Sequence, residues 1–256
     1  MNRINKLFAT KPSGLLSVFY TGGFPQLNST KEIAKALEVS GADIIEIGIP
    51  FSDPVADGPA IQESNKIALQ NGMNVKLLLN QVKEIRKEVS TPIILMGYLN
   101  PVLQYGMEKF CNDCASVGVD GLILPDMPLE VYQNEYHGMF QKAGLSNIFL
   151  ISPTTSEERI RMIDTLTDGF IYAVSSSSTT GAKKDFDVQQ IEYFRKLKSL
   201  KLKNPFLIGF GISNKKTFQL ACEYSSGSIV GSAFITMLKE GGAVGEKVNQ
   251  FIKELR

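Results

Sequence analysis

The 256-residue chain has one histidine, three cysteines and a formal net charge of only +1, and each scarcity closes a route. With His137 as the sole imidazole, the serine run from Ser175 to Ser178 has no base beside it, so Ser–His nucleophilic catalysis is rejected. His137 falls in a polar, helix-like segment and reads as a surface residue. A zinc site needs about four ligands, and Cys111, Cys114 and the distant Cys222 do not supply them. Cys111 and Cys114 have C-x-x-C spacing but sit inside a predicted helix, Met107–Val117, which makes them two reduced thiols near one face. The balanced charge gives no electrostatic reason to expect nucleic acid or a membrane surface as partner. No apolar run reaches membrane-spanning length, and residues 1–8 lack a signal-peptide core, so a cytoplasmic protein is expected. Asp53, Asp57 and Asp126 lack nearby histidines and make a poor metal cage. Lysine is missing from the predicted strand interiors, which argues against a Schiff-base aldolase.

What the chain does have is a glutamate within an apolar run, Ile44-Ile45-Glu46-Ile47-Gly48-Ile49. Burying a carboxyl in a strand core is costly and raises its pKa. Eleven residues later Asp57 follows, in a loop punctuated by Pro54, Gly58 and Pro59. One shielded carboxyl and one loop-borne carboxyl suit acid–base chemistry, because their environments push their pKa values apart. The competing reading is a structural glutamate paired with a buried cation, with aspartates capping turns.

Eight short apolar runs alternate with amphipathic stretches: 16–20, 43–49, 92–96, 121–124, 147–151, 170–174, 206–209 and 228–230. They are apolar almost throughout, as parallel strands covered on both faces should be. Helical periodicity is read at 75–89, 107–117, 129–143, 157–166, 188–200, 215–224 and 244–255, with a helix start at Ser29-Thr30-Lys31-Glu32. Eight β-then-α units predict a (β/α)8 barrel, with residues 1–256 as one domain. A doubly wound open sheet is the runner-up, disfavoured because no G-x-G-x-x-G follows the first run.

The polar insertions 21–28, 50–59, 98–106 and 175–187 follow strand ends, where barrels of this kind place their sites. Gly209-Phe210-Gly211 ends the seventh run, and Val230-Gly231-Ser232 ends the eighth, ahead of a short helix at 233–238. Glycines there let backbone N–H groups approach an anion, and the helix N-terminus favours it, so a phosphate site is expected. The loop after the sixth run is expected to be mobile, either as a lid in which Thr180-Gly181 closes over a bound substrate or as a floppy solvated loop.

Several blocks together resemble the tryptophan synthase alpha subunit family: Phe19–Pro25, Glu46–Pro59, Ile61-Gln62, Leu124-Pro125-Asp126, Gly209–Ser213 and Val230–Ala233. The resemblance covers nearly the whole chain, and the Glu46–Pro59 block is its most specific part. It implies a lyase of tryptophan biosynthesis that splits indole-3-glycerol phosphate into indole and glyceraldehyde 3-phosphate by a retro-aldol reaction. Under it Glu46 and Asp57 are the two catalytic carboxyls. Gly181, Gly209, Phe210, Gly211, Gly231 and Ser232 hold the phosphate, and Phe19, Ile61, Met96, Tyr98, Ile123 and Tyr172 surround the indole. It further implies an α2β2 complex with a pyridoxal-phosphate beta subunit, which would dock near Pro50, Phe51, Pro54 and Met127-Pro128, and no cofactor in this chain. A stand-alone lyase, a sugar-phosphate epimerase and a weakly active subunit that switches on a beta partner are the alternatives. Two positions depart from the family pattern. Phe24 replaces a usual acid, and Ser178-Thr-Thr-Gly181 replaces Gly-Val-Thr-Gly.

Overall fold

The computed structural model describes residues 2–175 and 185–256. Among them, nine short strands form one parallel sheet: β1 (Leu15–Thr21), β2 (Ile44–Gly48), β3 (Ile93–Met96), β4 (Gly121–Ile123), β5 (Ser146–Asn147), β6 (Leu150–Ile151), β7 (Ile171–Val174), β8 (Phe206–Gly209) and β9 (Gly227–Val230). Their order is β5-β4-β3-β2-β1-β9-β8-β7-β6. The expected strand 147–151 is thus two short pieces of one stave. Ile148 N–H donates to Leu122 O on one side at 3.0 Å, and Tyr172 N–H donates to Phe149 O on the other at 2.9 Å. One stave serves both neighbours, and the sheet closes into the barrel that eight β-then-α units predict.

The near-continuous apolar runs follow from burial on both faces. Leu15, Ile44, Ile94, Ile123, Leu207 and Ile229 point inward and pack together. Their alternates Leu16, Ile45, Leu95, Leu122, Ile208 and Val230 face outward into the layer under the helices. That outer layer comprises α1 (Arg3–Thr10), α2 (Ser29–Val39), α3 (Pro59–Gln70), α4 (Val75–Ile85), α5 (Leu99–Tyr105) and α6 (Met107–Val117) in the first half. Then come α7 (Leu129–Val131), a π-turn (Tyr132–Tyr136), α8 (His137–Ala143), α9 (Glu157–Leu166), α10 (Val188–Ser199), α11 (Lys215–Tyr224), α12 (Ser232–Lys239) and α13 (Val244–Leu255). Helix α1 differs from the rest in closing the barrel floor. Its Ile4 is fully buried, and Phe8 meets Phe170 with ring centroids 5.8 Å apart. No described helix is long and apolar enough to cross a membrane.

Candidate active site

The cleft opens at the C-terminal ends of the strands and has two lobes. One, about 440 Å³, is lined by Phe19, Asp57, Ile61, Met96, Tyr172, Phe210, Gly211, Gly231 and Ser232. The other, about 500 Å³, shares Phe19, Asp57, Met96 and Phe210 and adds Gly48, Tyr98, Pro125 and Leu150. Apolar walls with a few convergent polar groups are what a small-molecule site requires.

Glu46 stands on β2 one inward-facing position before Gly48, about 6.6 Å lower along the strand. It is fully buried and lines neither lobe. Ser17 Oγ on β1 donates to its Oε1 at 2.6 Å, and Oε2 has no partner. No ion pair reaches it among the described residues. Among the described residues, nothing supports the paired-cation reading. Burial raises the Glu46 pKa to about 7 against a modest opposing effect of the Ser17 bond, so a protonated carboxyl is available near neutrality.

Asp57 is held at the cleft rim by its neighbours. Gln62 Nε2 donates to Asp57 O at 2.8 Å, and Tyr98 Oη donates to Asp57 Oδ2 at 3.3 Å. Tyr98 Oη in turn accepts from Ala56 N–H at 3.1 Å, and its ring packs on Phe51. Helix α3 anchors this corner: Asn65 Oδ1 accepts from Phe51 N–H at 3.0 Å, and Ser64 and Thr21 share a 2.6 Å hydrogen bond. Burial lifts the Asp57 pKa to about 6, partly offset by Tyr98. The two carboxyls are both raised and lie closer in acidity than a solvated Asp57 would give, because the loop folds into the cleft.

The first lobe combines backbone features that would suit an anion. Phe210 (φ 67°) and Gly211 (φ 81°) are both left-handed, and at a phenylalanine this costs about 1–3 kcal/mol. Ser175 holds the turn, its Oγ donating to Phe210 O at 2.7 Å and its N–H to Gly209 O at 2.9 Å. Helix α12 begins beside this turn with no side-chain cap at Gly231 and no acidic residue in its first turn. Its first N–H groups thus have no intrahelical partners and face the lobe that Gly231 and Ser232 line.

Other sequence-predicted residues sit differently. Gly209 lines neither lobe; a Cβ there would meet the Tyr172 ring at 2.4 Å, so the glycine makes room for that ring. Gly48, which the sequence did not single out, does the same for Phe19 at 2.7 Å. Ile123 is fully buried in the inner layer and also lines neither lobe. Thr180 and Gly181, with Ser178, lie outside the described residues. Phe24 is buried against the barrel wall rather than exposed in its loop. On the rim, Pro50 and Met127 are buried, while Val55 is 82% exposed and Pro128 is exposed. Among the described residues no group of three or more His, Cys, Asp or Glu could hold a metal ion. Sequence reasoning also missed Ser17, whose only signal was its polarity in an apolar strand.

Residues 7–255 match the family model for the tryptophan synthase alpha chain. The tryptophan synthase alpha chain of Parabacteroides distasonis is 53% identical over 256 residues, covering 100% of both chains. That of Flavobacterium psychrophilum is 52% identical over 255 residues, again covering 100% of each. Among solved structures, the alpha chain from Legionella pneumophila superposes with a TM-score of 0.90 at 34% identity, covering 100% of this chain and 96% of that one. A tryptophan synthase complex from Pyrococcus furiosus gives 0.87 at 35% identity, covering 95% and 98%. A barrel with this cleft, matched along its whole length by these relatives, belongs to the tryptophan synthase alpha chain family.

Proposed function

We propose that Glu46 and Asp57 carry the lyase reaction of this family, the cleavage of indole-3-glycerol phosphate to indole and glyceraldehyde 3-phosphate in tryptophan biosynthesis. The observation that carries the assignment is a fully buried glutamate with one free oxygen and no cation among the described residues, seated just below a cleft whose rim holds a second raised carboxyl. Indole C3 takes a proton from Glu46, which converts the ring to the cationic 3H-indolium form, with its N–H retained, and makes C3 a leaving group. The hydroxyl on the adjacent glycerol carbon then returns a proton to Glu46 as the C–C bond breaks and the aldehyde forms. One carboxyl thus serves as acid and then base, which suits a pKa near 7. Asp57, ionised above pH 6, accepts a hydrogen bond from the ring N–H and offsets the positive charge that develops there.

The substrate fits the two lobes by chemistry. Phe19, Met96, Tyr98 and Tyr172 supply aromatic and soft apolar surface for the indole, with Ile61 on the α3 side. Phe210, Gly211, Gly231, Ser232 and the start of α12 receive the phosphate. The chain needs no cofactor of its own. The partner is a pyridoxal-phosphate beta subunit in an α2β2 complex, docked over the rim where Val55 and Pro128 are exposed and Phe51 and Pro54 are half-buried.

Glu46→Gln removes the proton carrier with almost no change in volume. Indole release should fall by about 10³-fold or more, while binding of a non-cleavable indole alkyl phosphate stays within a few fold. Activity near wild type in that variant would end the assignment.

A further inference from the structure

The strands supply one group that takes no part in the proton transfers themselves. Ser17 is fully buried, faces inward from β1, and spends its hydroxyl on Glu46 Oε1 at 2.6 Å. A serine is an unusual occupant of a barrel interior otherwise filled at this level by branched and aromatic side chains. We propose that Ser17 is a positioning residue for Glu46: its O–H fixes which carboxyl oxygen holds the transferable proton and sets the acidity of that proton. The inference rests on the assignment of Glu46 as the proton carrier.

Acceptor strength favours one site for the proton. The carbonyl oxygen of a protonated carboxyl accepts better than its hydroxyl oxygen, so a hydroxyl that donates to Oε1 favours the hydrogen on Oε2. Oε2 is the oxygen with no protein partner, and hence the one free to give its proton to a substrate carbon. When Oε2 has lost its proton, the Ser17 O–H becomes a charge-assisted bond to the carboxylate and strengthens. Ser17 therefore favours the ionised form and opposes the effect of burial, which leaves the group near neutrality rather than well above it. The titratable groups that share this interior are Tyr172 from β7 and Asp57 from the rim; burial, and then the charges of Glu46 and Asp57, raise the Tyr172 pKa. The β3 position registered against Glu46 is Ile94, which is apolar. Within this set, Ser17 is the hydrogen-bond donor to the carboxyl.

Ser17→Ala and Ser17→Thr test it, the second retaining a hydroxyl on a residue that suits a strand. In the ligand-free protein, the Glu46 carboxyl is titrated by infrared difference spectroscopy, with Glu46→Gln identifying its band. The expected result is a Glu46 pKa raised by about one to two pH units in Ser17→Ala and nearly unchanged in Ser17→Thr. In turnover, the alkaline limb of the kcat profile moves up by the same amount. At pH 7, kcat falls roughly tenfold to a hundredfold from lost positioning while KM holds. An unchanged carboxyl pKa in Ser17→Ala, or an equal shift in Ser17→Thr, overturns the role of Ser17 whatever Glu46 does in catalysis. Indole release by Glu46→Gln is the separate measurement that overturns Glu46 itself. The spectroscopic titration does not depend on turnover, so the two failures are told apart.

Discussion

At the scale of single residues, the proposed proton carrier works against the stability of the fold. The pKa of Glu46 is raised in the folded state, from an ordinary value of 4.5 to about 7. A raised acid pKa means that the folded chain binds the proton more tightly than the unfolded one. The stabilising contribution is complete below about pH 4.5 and disappears as pH rises through 7. Glu46→Gln removes that pH-dependent loss. Chemical denaturation should show the variant more stable than wild type by up to about 3 kcal/mol at pH 8 and no more stable at pH 4. A difference independent of pH would mean that burial does not govern this group. One substitution thus moves function and stability in opposite directions. The burial of Glu46 was legible in the sequence, because a carboxyl inside an apolar strand run is carried into the barrel with its neighbours. The parts of Ser17 and Gly48 were not legible, because they depend on which side chain stands on the next strand.

At the scale of elements, α12 and the Phe210 turn make the anion lobe together. The helix N-terminus offers uncapped N–H groups and a partial positive charge, and no acidic side chain in its first turn competes for them. Ser232→Asp would place a permanent carboxylate at that terminus. The result should be a KM for the phosphorylated substrate raised about ten- to a hundredfold, with kcat much less affected. A kcat loss at constant KM would point away from ground-state phosphate binding. The strands, and helices such as α6, α9 and α11, stood out because apolar runs and 3.6-residue periodicity mark them directly. Helix α3 did not, because Pro59 and a weakly amphipathic sequence made it look like the end of a loop, although its Ser64 and Asn65 fix the corner beneath Asp57. Helix α5 carries Pro101 in its first turn and hid for the same reason. The run at 147–151 read as one strand because its apolar pattern is nearly continuous; its division follows from bonding a different neighbour along each half.

At the scale of the whole molecule, one buried aspartate joins elements far apart in sequence. Asp120 is ion-paired to Arg86 at the end of α4 and to Arg3 on α1 at 2.9 Å, and its Oδ2 accepts from Ile93 N–H at 2.8 Å. Arg86 also donates to Gly118 O and Thr91 O, both at 2.6 Å. Arg86→Ala leaves the Asp120 carboxylate enclosed without its main counter-charge. Unfolding measurements should record a loss of about 3–5 kcal/mol, with the pH profile of the surviving activity unmoved. A loss below about 1 kcal/mol would mean that the network is replaceable by water.

The N-terminal helix has a further consequence for traffic through the enzyme. Among the described residues, Ile4 and Phe8 cork the lower end of the stave ring, which leaves the upper cleft as the doorway. A free bicyclic product and any acceptor protein would therefore contend for a single mouth. Handing the product on, rather than spilling it, then becomes a matter of who covers that opening first.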